Sequence, residues 1–245
     1  MNSGVKLVFI LSLLFSFSAI ARAEQIINRV NEPITPIPYV TGLDPDKVAL
    51  GRRLFHDPKL SSDGTVSCAS CHSLQSAGVD NLALSFGVNG QKGFRNSPTV
   101  LNSGLLFRQF WDGRVGSLEE QVTGPLTNSF EMNNNWENVI SYLKSDIEYI
   151  TAFTKIYSQP PTSENTANAI ADFERSLVTP DGPFDLYLKG DTLAIDEQEK
   201  RGYQHFKEYG CISCHQGVAV GGNVYEKLGV FREYYNKDSD IDMGR

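Results

Sequence analysis

Apolar and polar positions along the chain alternate between helical periods and long stretches with no period. A helix is predicted with Asp44 as N-cap and Pro45 in its first position, running to about Phe55. Ser117 with Glu120 three residues on forms a capping-box pattern that opens another. Trp136 to Leu143 and Ile147 to Tyr157 carry apolar residues at three- and four-residue spacing. The clearest stripe lies in Ser163 to Val178, where Thr166, Ile170, Phe173 and Leu177 mark one face. Pro180 and Gly182-Pro183 stop that helix and mark a candidate domain boundary. A last helix is expected from an Asp196 cap, with Glu199 three residues on, to Gly210. No segment alternates as a half-buried strand would, so the pattern predicts an all-α fold. Residues 73–116 are rich in Gly, Asn and Ser and show no sustained period. Ordered loops of that length are unusual in a compact domain unless they wrap a ligand.

The N-terminus changes the picture. Leu7 to Ile20 is almost wholly apolar or small, follows a short segment carrying Lys6, and precedes Ala21-Arg22-Ala23. This is the layout of a cleaved secretory signal peptide, expected to end at Ala23. The run of about 14 residues is shorter than the roughly 20 a spanning helix needs. No later stretch approaches spanning length, so the mature protein is expected to be free of the membrane. Cleavage would remove Lys6 and Arg22 and no acid, taking the formal net charge from −7 to −9. So acidic a chain carries no electrostatic footprint for nucleic acid. The expected organisation is a signal peptide over residues 1–23, an N-terminal domain over 24–180 and a C-terminal domain over 181–245.

An exported chain usually spends its cysteines on disulfides. Here all 4 fall in two Cys-x-x-Cys-His units, at Cys68/Cys71/His72 and Cys211/Cys214/His215. Cysteines three apart share one helical turn and can each form a thioether to a vinyl group of haem. The adjoining histidine is then held against the iron. A zinc site would place paired Cys-x-x-Cys units some 15–20 residues apart, whereas these are 143 apart. A thioredoxin-like pair would not recur with the same trailing histidine. Two covalently attached c-type haems, in two cytochrome c-like domains, are the expected cofactors.

Around the first motif the chain resembles a known family. Arg95-Asn96-Ser97-Pro98-Thr99, Phe110-Trp111-Asp112-Gly113-Arg114, Glu120-Gln121, Gly124-Pro125 and Glu131-Met132 are similar to the bacterial di-haem cytochrome c peroxidases. Leu177-Val178-Thr179-Pro180, Pro183-Phe184-Asp185, Tyr187-Leu188 and Gly190-Asp191 resemble that family's inter-haem linker. The resemblance implies a periplasmic enzyme that reduces hydrogen peroxide at the N-terminal haem. It makes the C-terminal haem an electron store, filled by a small cytochrome c or cupredoxin. His72 and His215 become the proximal ligands of the two haem irons, Glu131 the distal acid–base, and Gln121 a polar residue of the peroxide pocket. Trp111 becomes a buried aromatic residue on the electron path, Asn96 a ligand of an inter-haem calcium, and a homodimer the expected assembly.

Peroxide cleavage needs a proton moved from the inner to the outer oxygen, which a carboxylate such as Glu131 can perform and a glutamine cannot. Arg114, beside Asp112, reads as a structural ion pair, and His56 and His205 as ordinary surface or half-buried residues. Many family members carry a histidine where Val88 stands, capping the resting first haem. Valine has no lone pair for iron, so the first haem is expected to be open at rest. The same loss resembles a related branch that uses peroxide to oxidise a protein substrate and build a tryptophan-derived quinone. A non-enzymatic di-haem electron carrier is the third alternative. The chain ends at Arg245, 30 residues after His215. By resemblance this leaves the second domain incomplete, with the distal ligand of its haem beyond that point. Met243, the one methionine after His215, has an Asp/Gly setting that argues for an exposed loop.

Overall fold

A computed structural model describes residues 32–226. The signal-peptide segment and Met243 lie outside them. Among the described residues there are helices and three isolated bridges but no strand of a sheet, and no helix is long and apolar enough to cross a membrane. The helices are α1 (Pro45–Phe55), α2 (Cys68–Cys71), α3 (Leu118–Thr127), α4 (Trp136–Ser145), α5 (Ile147–Tyr157), α6 (Ser163–Ser176), α7 (Pro183–Lys189) and α8 (Glu197–Glu208). The chain divides into two compact units, which part at Pro180 and Asp181. Residues 38–180 and 221–226 form one, and 32–37 with 181–220 the other.

In the larger unit α1 lies directly on α6. A methyl group at Gly51 would sit 1.9 Å from the Ala169 carbonyl oxygen, so this crossing needs glycine. The predicted stripe of α6 is buried at Thr166, Ile170 and Phe173, and packs with Leu50, Leu54 and Phe55 of α1. Val139 and Leu143 of α4 and Tyr149 and Phe153 of α5 complete the core. Leu54, Phe55, Leu143 and Phe153 are fully buried, each contributing roughly 1.5–3 kcal/mol of transfer free energy. At one edge Arg175 of α6 bridges Asp172 (2.9 Å) and Glu119 of α3 (2.8 Å), while Lys47 of α1 reaches Asp172 at 3.5 Å.

Helix ends follow local chemistry. Asp44 caps α1 through the amides of Asp46 and Lys47. Asp196 and Glu199 form the reciprocal capping box of α8. At α3 only half of the expected box forms: Ser117 accepts from Glu120 N–H, but Glu120 reaches back to Gly116 rather than to Ser117. Pro183, read from sequence as a stop, is the first residue of α7, where its missing N–H costs nothing. In the smaller unit Ile34, Leu188 and Tyr203 form the core. Pro33 and Thr35 exchange backbone hydrogen bonds with Gly217, and Tyr203 donates to Glu32.

Candidate haem-binding and catalytic site

The two Cys-x-x-Cys-His motifs adopt similar local geometry. In the first, Ser67 caps the single turn of α2, with reciprocal Ser67–Ser70 bonds. This places Cys68 and Cys71 one turn apart as free thiols. Burial pushes the Cys68 thiol up to about 12 and also raises Cys71. Burial holds the His72 imidazole below its usual value, favouring the neutral ring that ligates a metal. With Nδ1 protonated and donating to the Gly78 carbonyl (3.3 Å), His72 keeps its Nε2 lone pair for an iron.

The second motif follows Gly210, whose φ of +77° lets the chain leave α8 in the left-handed region. Cys211 opens a single 3-10 turn, with Cys214 at its end, and both are free thiols. His215 directs Nδ1 at the Val220 carbonyl (3.1 Å), and its ring lies 6.1 Å from that of Phe206.

These donor sets fit c-type haem, and the loops supply an independent observation. Between residues 82 and 111, Leu82, Phe86, Phe94, Phe107 and Trp111 are all exposed. Large apolar side chains concentrated on loops without regular structure are what a broad apolar ligand covers.

Several segments of the larger unit converge on Glu131. Glu131 follows α3, in a turn where its N–H donates to the Asn128 carbonyl and its Oε1 accepts from Asn128 Nδ2 at 2.7 Å. It is half-buried, and loss of solvent raises its carboxyl above the usual range, against the opposing pull of the Asn128 bond and the Arg114 charge. Its charge also acts on both the Cys68 and Cys71 thiols, so it lies within electrostatic reach of the first Cys-x-x-Cys-His motif. Val88 N–H donates to the Glu131 carbonyl at 2.8 Å. The Val88 side chain is fully buried in the core. Gln121 is half-buried on α3, one residue after the first turn. Pro125, four residues on, lacks the N–H that would close onto the Gln121 carbonyl.

Trp111 departs from the buried position expected of it, being 45% exposed with its indole N–H donating to the Asn96 carbonyl at 2.9 Å. The apolar seat against α3 is taken by its neighbour Phe110. That residue holds a φ of +68° and lies where a methyl group on Gly124 would come within 2.5 Å of its ring. Asn96 donates its side-chain amide to the Leu82 carbonyl at 2.6 Å. Among the described residues no group of three or more His, Cys, Asp and Glu side chains could hold a metal ion. Arg114 is paired with both oxygens of Asp112 (2.9 and 2.8 Å), its guanidinium 3.5 Å above the Phe110 ring. His56 contacts the Arg52 carbonyl at 2.8 Å, and exposed His205 faces Glu208 at 3.4 Å.

Sequence reasoning missed Asn128, whose place three residues before Glu131 in a polar turn was the available signal. It also missed Glu174, buried on α6 with its carboxyl pushed up to about 8 by burial and acting on Cys68. Its position beside Phe173 carries no polar signature that a helical period would expose.

The profile described as di-haem cytochrome c peroxidase matches residues 45–193. The chain is 45% identical over 217 residues to the cytochrome c peroxidase Ccp of Escherichia coli (strain K12), covering 88% of this chain and 47% of that protein. It is 46% identical over 209 residues to the cytochrome c551 peroxidase of Nitrosomonas europaea, covering 85% and 63%. To the methylamine utilization protein MauG of Methylorubrum extorquens it is 39% identical over 200 residues, covering 80% and 56%. The chain thus spans about half to two thirds of the length of these relatives. A solved MauG-like protein associated with microbial copper homeostasis superposes with a TM-score of 0.66 at 29% identity, covering 79% of this chain and 60% of that one. The diheme peroxidase BthA from Burkholderia thailandensis E264 gives 0.63 at 26% identity, covering 72% and 50%. With most of its length matched in sequence and in all-α architecture, the chain belongs to the di-haem cytochrome c peroxidase family.

Proposed function

We propose that this chain carries the peroxide-reducing site of a periplasmic di-haem peroxidase, supplied with electrons by a small cytochrome c or cupredoxin. The net change is hydrogen peroxide plus two protons and two electrons giving two waters. The observation that carries the reading is Glu131: a half-buried carboxyl, raised above its usual range, within charge reach of both cysteines of the first motif. Cys68 and Cys71 would hold one haem by thioethers with His72 as iron ligand, and Cys211, Cys214 and His215 the other. When bound, the first haem supplies an iron that takes peroxide, and the second a reservoir for one electron.

Glu131 accepts the proton of the inner peroxide oxygen and returns it to the outer one as the O–O bond breaks. Asn128 Nδ2 fixes the carboxylate through Oε1, leaving Oε2 for the transfer. Gln121 orients peroxide or water by hydrogen bonding without carrying the proton, and Trp111 offers a π-system for electron delivery. Val88 occupies the position of the capping histidine with a side chain sunk into the core. The site is therefore open to peroxide without prior reduction. Identity of 45–46% to named peroxidases, against 39% to a MauG, favours peroxide reduction over protein oxidation.

The test uses the haem-loaded protein as isolated, fully oxidised. A high-spin signal from one of two haems, and peroxide turnover with reduced cytochrome c in the first mixing, are expected. Two low-spin haems and no turnover would overturn the reading.

A further inference from the structure

The turn at residues 60–65, between α1 and the first haem motif, grips two other segments at once. Ser62 N–H donates to the Met132 carbonyl at 2.9 Å, and Asn134 Nδ2 to the Leu60 carbonyl at 2.9 Å. These bonds fasten the turn just beyond Glu131. Asp63 supplies the other grip. Its Oδ1 accepts from Thr65 Oγ1 (2.6 Å) and Thr65 N–H (2.9 Å), while Oδ2 accepts from Asn89 N–H at 3.1 Å; the Ser61 hydroxyl stands 3.3 Å from Oδ1 but donates to the Pro58 carbonyl at 2.7 Å.

Asn89 belongs to a small loop whose ends meet through Gly87 N–H and the Gln91 carbonyl at 2.8 Å. Next to it, Val88 donates its N–H to the Glu131 carbonyl and buries its side chain completely. On the far side, Gly87 lies so close to the neighbouring chain that a methyl group there would stand 2.1 Å from the Phe130 carbonyl oxygen and 2.5 Å from that of Glu131. The loop is thus pressed against the Glu131 backbone on one face and held by Asp63 on another. Two donors from Thr65 on a single oxygen orient the carboxylate before it meets Asn89, so the bond to Asn89 costs little further side-chain freedom. The Thr65 hydroxyl in particular keeps Asp63 below the usual carboxylate range.

We propose that Asp63 is a positioning residue for Glu131: by holding Asn89 it keeps Val88 on the Glu131 backbone and so fixes where the Glu131 carboxyl stands. The inference rests on the reading of Glu131 as the proton-transfer group and deepens it. Asp63 acts through the 87–91 loop and not on the reactants.

Asp63→Asn separates this role from mere stabilisation of the turn. An asparagine keeps an acceptor oxygen for Thr65 but turns an N–H₂ toward the Asn89 N–H, so it breaks the loop contact alone. Asp63→Ala removes both. In the haem-loaded protein, amide hydrogen exchange at Val88 and Asn89 should quicken at least tenfold in Asp63→Asn, with Thr65 unchanged. The rate constant for reaction with peroxide should fall three- to tenfold, with KM for the electron donor unaltered. Unchanged exchange at Val88 in both variants overturns the proposal. So does faster exchange with an unchanged peroxide rate, since Glu131 would then not depend on the tether. A wild-type protein that does not consume peroxide refutes the peroxidase reading instead. The exchange comparison then decides alone whether Asp63 holds the Glu131 backbone.

Discussion

Replacing Glu131 by Gln isolates proton transfer from everything else the residue does. The backbone bond from Val88 is untouched, and a glutamine Oε1 still accepts from Asn128 Nδ2, now 2.7 Å from the carboxylate. Fold and haem attachment should therefore survive. What disappears is a group able to take a proton and return it, a contribution of about 10²–10⁴ in rate, or roughly 3–5 kcal/mol of transition-state stabilisation. Because burial raises the Glu131 carboxyl, the wild-type rate should climb as pH rises through that raised value and the carboxylate becomes available. The glutamine variant should lack this limb. Stability runs the other way. An acid whose folded pKa exceeds its unfolded one binds its proton more tightly in the native state, so the native state loses stability as pH rises between the two values. Stopped-flow mixing of the haem-loaded protein with peroxide across pH 4 to 8 measures the rate term. A variant rate within threefold of wild type at neutral pH, with both haems present, would refute the assignment.

Two further outcomes follow from buried contacts. Glu174 is only 8% exposed and its carboxyl is pushed from 4.5 to about 8 by burial. Wild-type stability should thus fall as pH rises across that window, and Glu174→Gln should flatten the slope. At about 1.4 kcal/mol per pKa unit the two should differ by a few kcal/mol above pH 8; urea unfolding with parallel pH dependences would count against it. Gly87→Ala would force the loop off the Phe130–Glu131 backbone, where a methyl group meets carbonyl oxygens at 2.1 and 2.5 Å, costing about 1–3 kcal/mol. A melting temperature lowered by several degrees is expected, together with a slower peroxide reaction, and an unshifted melt would contradict the close approach.

Much of the helical frame was legible from local chemistry. The Asp44-Pro45 and Asp196/Glu199 starts depend on neighbours within one turn, so short-range pattern sufficed to place α1 and α8. The α6 stripe was equally plain, but the fold buries the helix beyond that face, taking in Asn165, Ala167, Ala169, Ala171 and Glu174 as well. Pro183 misled because proline both ends a preceding helix and suits the first position of the next, and only the assembled chain distinguishes the two.

The sequence by itself determined the chemistry proposed for haem attachment, since the groups that thioether formation and iron ligation would use lie together within Cys68–His72 and Cys211–His215, five residues each. It also determined which residue types were on hand for peroxide chemistry. Tertiary structure alone decided what surrounds them. Val88 reads as the loss of a ligand, but in the fold it is also a buried anchor hydrogen-bonded to Glu131. Trp111 reads as buried, yet Phe110 takes the seat on α3. Asp63, 68 residues before Glu131, acquires its place only when the loop at Asn89 folds between them. Desolvation and close backbone approach arise from segments far apart in the chain, and no local period encodes them.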